Sequence, residues 1–245
     1  MTDVAGGVAV APTLSAFTVE EIYDKLRDEI LHGTLLAGSV VSQVKLADRL
    51  GVNRTPLREA LRMLQREGLI ESKHNRQVRV APLASSDLVQ LYALRIPQEA
   101  VAIKLTVPQL SSGDLAELRD LLRVMDSVAS PDTFSEWERH HRVFHQRLIA
   151  HAGARITKAV GDLGAYCERY RRALLQANPV SFEIGAREHA EIVAACEMRD
   201  AEAAAKALGR HLGRTALTLL SVTDPSFDPA AVRIALRFVL GEPPT

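Results

Sequence analysis

Two short blocks of helical periodicity separated by one glycine constrain this chain more than anything else in it. In Gln43–Leu50 the apolar residues Val44, Ala47 and Leu50 face one way, Gly51 stops the helix, and Val52 turns inward. Asn53 or Thr55 then caps a second helix with Pro56 in its first turn, and Leu57, Ala60, Leu61 and Leu64 form its buried stripe. Helix, glycine turn, helix is a motif that inserts its second helix into the DNA major groove. The opposite face of that helix carries Arg54, Arg58, Arg62 and Gln65, with the first two nearest the inserted N-terminal end. An arginine there can hold guanine O6 and N7 together, for roughly 1–3 kcal/mol of discrimination. Arg54, Thr55 and Arg58 are therefore read as the base-contacting residues.

The flanks agree with that reading. Val19, Ile22, Leu26, Ile30 and Leu31 recur at helical spacing between Thr18, placed as N-cap, and the stop at Gly33. A loop containing Gly38 and Ser39 leads on to Gln43. After Gly68, Leu69–Ser72 and Val78–Val80 have strand character and are joined by the basic turn Lys73-His74-Asn75-Arg76-Gln77, a hairpin wing set to touch phosphates or the minor groove. From Gln43 to Ala81 there are nine basic residues against four acidic ones, whereas after Pro82 there are 19 against 20. The chain's formal net charge of zero thus hides a basic block, which calls for a polyanion partner. RNA is disfavoured, because the only aromatic residues here, Phe17 and Tyr23, sit on or before the first helix and offer no stacking platform.

Composition bounds the rest. At 245 residues with 47% hydrophobic content, the chain has enough apolar surface for real cores, which excludes a wholly disordered protein. Cys167 and Cys196 are too few and too far apart for a disulfide scaffold or a zinc ribbon, and read as reduced core thiols. Residues 1–15 are expected to be a disordered leader, since no basic residue precedes the apolar stretch and Gly6 and Gly7 interrupt it. With no run of eighteen apolar residues, no membrane span is expected and the location is expected to be cytoplasmic. The expected fold class is mainly α. A winged helix-turn-helix of three helices and a small β-hairpin occupies 16–81, a linker 82–86, an all-α antiparallel helical bundle 87–223, and an amphipathic tail 224–245. Helical blocks run from Ser86 to Val107, Ser111 to Ala129, Thr133 to Ala152, Arg155 to Ala177, Ser181 to Met198, Ala201 to Val222 and Pro229 to Leu240.

Four histidines of the bundle have spacings that invite a metal. His141 and His145 are four residues apart and share a helix face, while His189 and His211 lie centrally on two later helices. Neutral imidazoles converging inside a bundle suit a divalent ion, with zinc or nickel foremost. Against this stands a reading in which the same histidines bind a ligand directly or hold nothing. His32, His74, His140 and His151 read as surface residues. A metalloenzyme, with Glu138 of the bundle's Glu-x-x-His string as a base, and a purely structural metal are rival readings of the same histidines.

The run LADRLGVNRTPLREALRMLQREGLIESKHNRQVRVA, residues 46–81, resembles the winged helix-turn-helix of GntR-family bacterial transcription regulators. The resemblance implies DNA contacts at Arg54, Thr55, Arg58, His74 and Asn75, and we add Arg49 and Arg76 from the basic block. Asn53 stands where the family usually has Ser or Thr, Gln77 replaces a common wing glycine, and Val44 stands where some members carry an arginine. Residues 91–105, 141–153 and 187–212 resemble the helical effector-binding domain of the FadR subfamily, of the FCD type. Its metal-binding members use one Asp and three His. The histidines map to His145, His189 and His211, and the Asp position is His141, which makes the site less negative and favours softer divalent metals. The resemblance further implies a pocket for a small organic acid beside the metal, with Arg95, four residues before Glu99, as its carboxylate clamp; an i, i+4 pair with Glu99 can coexist with that role. The whole reads as a ligand-responsive repressor binding a near-palindromic operator in double-stranded DNA as a homodimer.

Overall fold

The computed structural model describes residues 17–73 and 77–242, which form two compact units, one of residues 17–30 and 34–82 and the other of 31–33 and 83–242. The expected leader and the wing residues His74, Asn75 and Arg76 lie outside the described residues.

The first unit runs α1 (Val19–Leu31), β1 (Val40–Ser42), α2 (Gln43–Leu50), α3 (Arg54–Arg66), β2 (Ile70–Lys73) and β3 (Gln77–Val80). Thr18 and Glu21 cap α1 reciprocally: the Thr18 hydroxyl accepts from the Glu21 amide at 3.2 Å, and the Glu21 carboxylate accepts from the Thr18 amide at 2.8 Å. The Ser42 hydroxyl caps α2 by accepting from the Val44 amide. Gly51 closes α2 at φ +66°, a left-handed conformation that costs a side-chain-bearing residue, and its amide reaches back to the Ala47 and Asp48 carbonyls. α3 begins at Arg54, so Asn53 and not Thr55 is the N-cap, and the Asn53 side chain makes no capping bond.

The expected stripe of α3 is buried in full: Leu57, Ala60 and Leu64 are 0% exposed and Leu61 5%. On α2 the buried residues are Leu46, Ala47 and Leu50, so Leu46 takes the core position expected of Val44, which is half-buried. Truncating a fully buried leucine such as Leu64 to alanine costs about 2–5 kcal/mol. The expected hairpin of β2 and β3 is joined by β1 on the free side of β3, giving a three-stranded antiparallel sheet in the order β1-β3-β2. β1, read from sequence as loop, pairs Val40 with Arg79 and Ser42 with Gln77; β2 pairs Ile70 with Val80 and Lys73 with Gln77, so these last two belong to strands and not to the turn. Tyr23 and Arg27 of α1 both donate to the Glu67 carboxylate, each at 2.9 Å, and tie α1 to the end of α3.

The second unit consists, among the described residues, of helices α4 (Ser85–Thr106), α5 (Ser112–Ser127), α6 (Phe134–Leu148), α7 (Ala154–Ala177), α8 (Val180–Glu197), α9 (Ala201–Thr223) and α10 (Ala230–Leu240), with a 3-10 turn at Val107–Gln109. α5 starts with a capping box between Ser111 and Asp114. The core is a single apolar cluster that includes Tyr92, Ile96, Phe144, Tyr170, Leu208 and both unpaired cysteines. α10, expected as a tail, packs on its own chain: Val232, Ala235 and Val239 are buried. Two glycines of α9 make room for it, since a Cβ on Gly213 would lie 2.5 Å from Leu236 and one on Gly209 3.0 Å from Val239. Among the described residues, no helix is long and apolar enough to cross a membrane.

Candidate DNA-reading face and metal centre

Because α3 turns its leucines inward, its other face is set by geometry alone: Arg54, Thr55, Arg58, Arg62 and Gln65 are all exposed. Arg54, Thr55 and Arg58 form no side-chain hydrogen bond or ion pair with any described residue, whereas Arg62 pairs with Glu59 at 2.7 Å. Arg49, also expected at the DNA, is held at both nitrogens by the Glu29 carboxylate of α1, at 3.0 and 2.5 Å. Its charge is thus already engaged within the unit. Arg79 of β3 lies beside Glu71 at 3.8 Å.

In the bundle, α6 supplies His141 and His145, α8 His189 and α9 His211, and one ring nitrogen from each lies within 4.8 Å of all the others. His141, His189 and His211 are 2–5% exposed. The ring nitrogens His141 Nδ1, His145 Nδ1 and Nε2, and His189 Nε2 are buried without a hydrogen-bond partner. An unmet buried polar atom costs about 1–3 kcal/mol, so a cluster of them favours a bound partner. A divalent ion would meet that requirement, held by one ring nitrogen from each of the four imidazoles. Burial pushes the His145 imidazole down to about 4 against the opposing pull of Glu99, and pushes His141 and His189 well below their ordinary value, helped by neighbouring imidazoles and arginines. Burial lowers His211 as well, with Glu188 opposing. Each shift favours the neutral imidazole, the form that binds metal.

A rank of carboxylates stands behind the histidines, and sequence reasoning found little of it. The Glu188 carboxylate accepts from His211 Nδ1 at 2.8 Å, which leaves the lone pair on Nε2. Glu138 lies 3.6 Å from His141 Nδ1 and Glu99 3.7 Å from His145 Nδ1. Each of these acids also holds a guanidinium: Arg95 Nε donates to Glu99 at 2.7 Å, Arg214 Nε to Glu188 at 2.5 Å, and Arg171 grips Glu138 at both oxygens. Glu138, considered above as a base, is therefore one half of a buried ion pair. Burial raises the Glu99 carboxyl, but Arg95 and His145 outweigh it and hold the group at about 2. Trp137 stacks on His141 with ring centroids 4.4 Å apart. The E-x-x-H spacing of Glu138 was a visible signal; it has no counterpart for Glu188, which meets His211 and Arg214 of α9 only through the pairing of α8 with α9.

Arg95 is 3% exposed, and its pair with Glu99 coexists with a place on the wall of the cavity that the four histidines share. Arg171, Arg214, Ser181 and Thr215 line the same cavity. His140 and His32 are half-buried and His151 is exposed, and none joins the cluster.

Comparison with known proteins matches both units. The model of the bacterial regulatory proteins of the gntR family covers residues 18–80, and that of the FCD domain residues 90–214. An HTH-type transcriptional regulator of Bacillus subtilis, YdhC, is 27% identical over 196 residues, spanning 78% of this chain and 86% of that protein. A probable D-xylose utilization operon transcriptional repressor of Paenarthrobacter nicotinovorans is 30% identical over 206 residues, 83% of this chain and 90% of that one. The E. coli structure of McbR/YncC shares the fold, with a TM-score of 0.72 at 20% identity, over 86% of this chain and all of that one, 100%.

Proposed function

Since the chain belongs to the GntR family of bacterial regulatory proteins, carries an FCD domain and is a transcription regulator rather than an enzyme, we propose that it is a metal-assisted, acid-responsive repressor that binds a near-palindromic operator as a homodimer. Arg54, Thr55 and Arg58 read base edges in the major groove from the N-terminal end of α3. His74, Asn75 and Arg76 contact DNA from the wing. Two-fold symmetry in the protein then demands it in the operator. In the bundle, His141, His145, His189 and His211 hold a divalent ion, zinc or nickel before others, which supplies a Lewis-acidic site for a carboxylate oxygen. Arg95 orients that carboxylate from the cavity wall, its Nε fixed by Glu99. The acid changes DNA affinity only by binding two arrangements of the chain unequally, and relief of repression is the outcome proposed.

The observation that carries the sensing half is the set of orphaned buried imidazole nitrogens at a cavity walled by arginines. The test is selection of duplexes from a random pool by the full chain, loaded with zinc and then stripped by a chelator. Enrichment of a two-fold symmetric site that changes on stripping is the expected result. No enrichment in either state would overturn the operator reading. Chelation that merely unfolds the bundle would make the metal structural.

A further inference from the structure

Sensing at the histidines matters only if it is felt where the chain leaves the bundle for the DNA-reading unit. We propose that Tyr170 of α7 is the positioning residue that does this, by holding the start of α4 to the helix turn that grips the histidine site. The assignment deepens the sensing reading above, on which it rests, and fails separately from it.

α4 is the first helix after the chain leaves the DNA-reading unit at Pro82, and its N-cap, Ala84, makes no side-chain cap. At the third helical position stands Asp87, the acid of a capping box whose hydroxyl is missing from the N-cap. Tyr170 brings a hydroxyl to that place from another helix: it donates to the Asp87 carboxylate at 2.7 Å and accepts from the Ala84 amide at 3.3 Å. The ring is buried in the core, at 2% exposure. Burial first, and the bond to Asp87 second, push the phenol above its ordinary value, so the hydroxyl keeps the proton it donates.

The next residue of α7 faces the histidines. Arg171 grips Glu138 at both oxygens, and Glu138 lies 3.6 Å from His141 Nδ1. Two residues before Tyr170, the buried Glu168 lies 3.5 Å from Nε2 of His32, in the segment 31–33 that follows α1 and belongs to the bundle's unit. One turn of α7 therefore touches the histidine site and both segments through which the chain passes to the DNA-reading unit. Residues of one helical turn move together, because the same backbone ladder locks them, and a buried ion pair such as Arg171 with Glu138 is costly to part. A displacement of His141 is thus handed through Glu138 and Arg171 to Tyr170, and from there to Asp87. α4 has its own contact with the site, since Glu99 lies 3.7 Å from His145 Nδ1. Pro97, however, stands between Glu99 and Ala84 and withholds an amide from the ladder of α4, so the route along α4 is the softer one.

Zinc is the probe. The affinity of the full chain for a duplex from the selection above is measured zinc-loaded and metal-free, and its zinc affinity with and without that duplex; linkage makes the two ratios equal. The wild-type ratio is expected to be about fivefold or more, in either direction. Tyr170→Phe should bring both ratios to within about twofold of unity while zinc is still bound, Asp87→Ala should do the same, and the double variant should do no more than either alone. Leu118→Ala, a truncation of a fully buried residue on α5, should lower stability and leave the ratios at the wild-type value, which separates coupling from a loosened bundle. Wild-type ratios in both Tyr170→Phe and Asp87→Ala, or a loss that Leu118→Ala shares, overturn the role of Tyr170 and leave the sensing reading standing. A wild-type chain that selects no duplex, or whose affinity for it is blind to zinc, overturns the sensing reading and the role of Tyr170 with it.

Discussion

Arg58 on α3 and Arg171 on α7 are the same side chain in two physical settings: the first stands in solvent without a described partner, and the second is buried at 8% exposure with both oxygens of Glu138 in its grip. The exposed guanidinium keeps its hydration and costs the fold nothing, so it is available to exchange water for a base edge or a phosphate. The buried one is part of the fold, and what it offers a ligand is a fixed direction. An arginine's partner, and not its presence in a basic run, therefore tells which job it does. Arg49 makes the point within the first unit, since Glu29 holds it although it belongs to the same basic block as Arg58.

Substitutions should separate the two settings. Arg171→Met strands the Glu138 carboxylate in the bundle, and breaking a buried pair from one side costs about 3–5 kcal/mol; denaturant unfolding of the full chain measures it, and a variant as stable as Arg58→Ala would break the contrast. Arg58→Ala should leave stability unchanged while specific operator affinity falls by about 1–3 kcal/mol, read by competition against non-specific duplex. Glu188→Gln should weaken zinc affinity by about 10- to 100-fold, because it stops fixing His211 and frees Arg214; a metal competition assay giving wild-type affinity would show that Glu188 serves Arg214 alone. The smallest effect is expected of Arg49→Ala, at about 1 kcal/mol or less of stability for a half-exposed pair, with little loss of operator affinity; a large loss would place Arg49 at the DNA after all.

What periodicity encodes was legible and what pairing creates was not. The bounds of α2 and the stripe Leu57, Ala60, Leu61 and Leu64 follow from spacing alone, because a helix face has one period and one core. The four histidines were legible for a related reason: two share a turn spacing, and the others fall centrally on long helices. β1 was not, as Val40–Ser42 is too short for alternation and becomes a strand only through β3. Leu46 displaced Val44 because a short helix offers too few turns to fix its face within a residue. Glu188 reaches His211 across helices, and Glu99, visible in sequence as the partner of Arg95, gave no sign that it would lie beside His145; buried polar residues have no period that announces them. Ser181 was invisible from sequence, where it marked only the start of a helix.

The two glycines of α9 that admit α10, Gly209 and Gly213, stand on either side of His211 in the sequence and point away from it, since two residues along a helix turn a side chain nearly to the opposite face. The chain's last helix therefore works as a keel for the one before it. It presses on the back of the strut whose front carries an imidazole, and how far that imidazole reaches into the cavity is set partly by residues some twenty-five positions downstream, Leu236 and Val239, that do not line it.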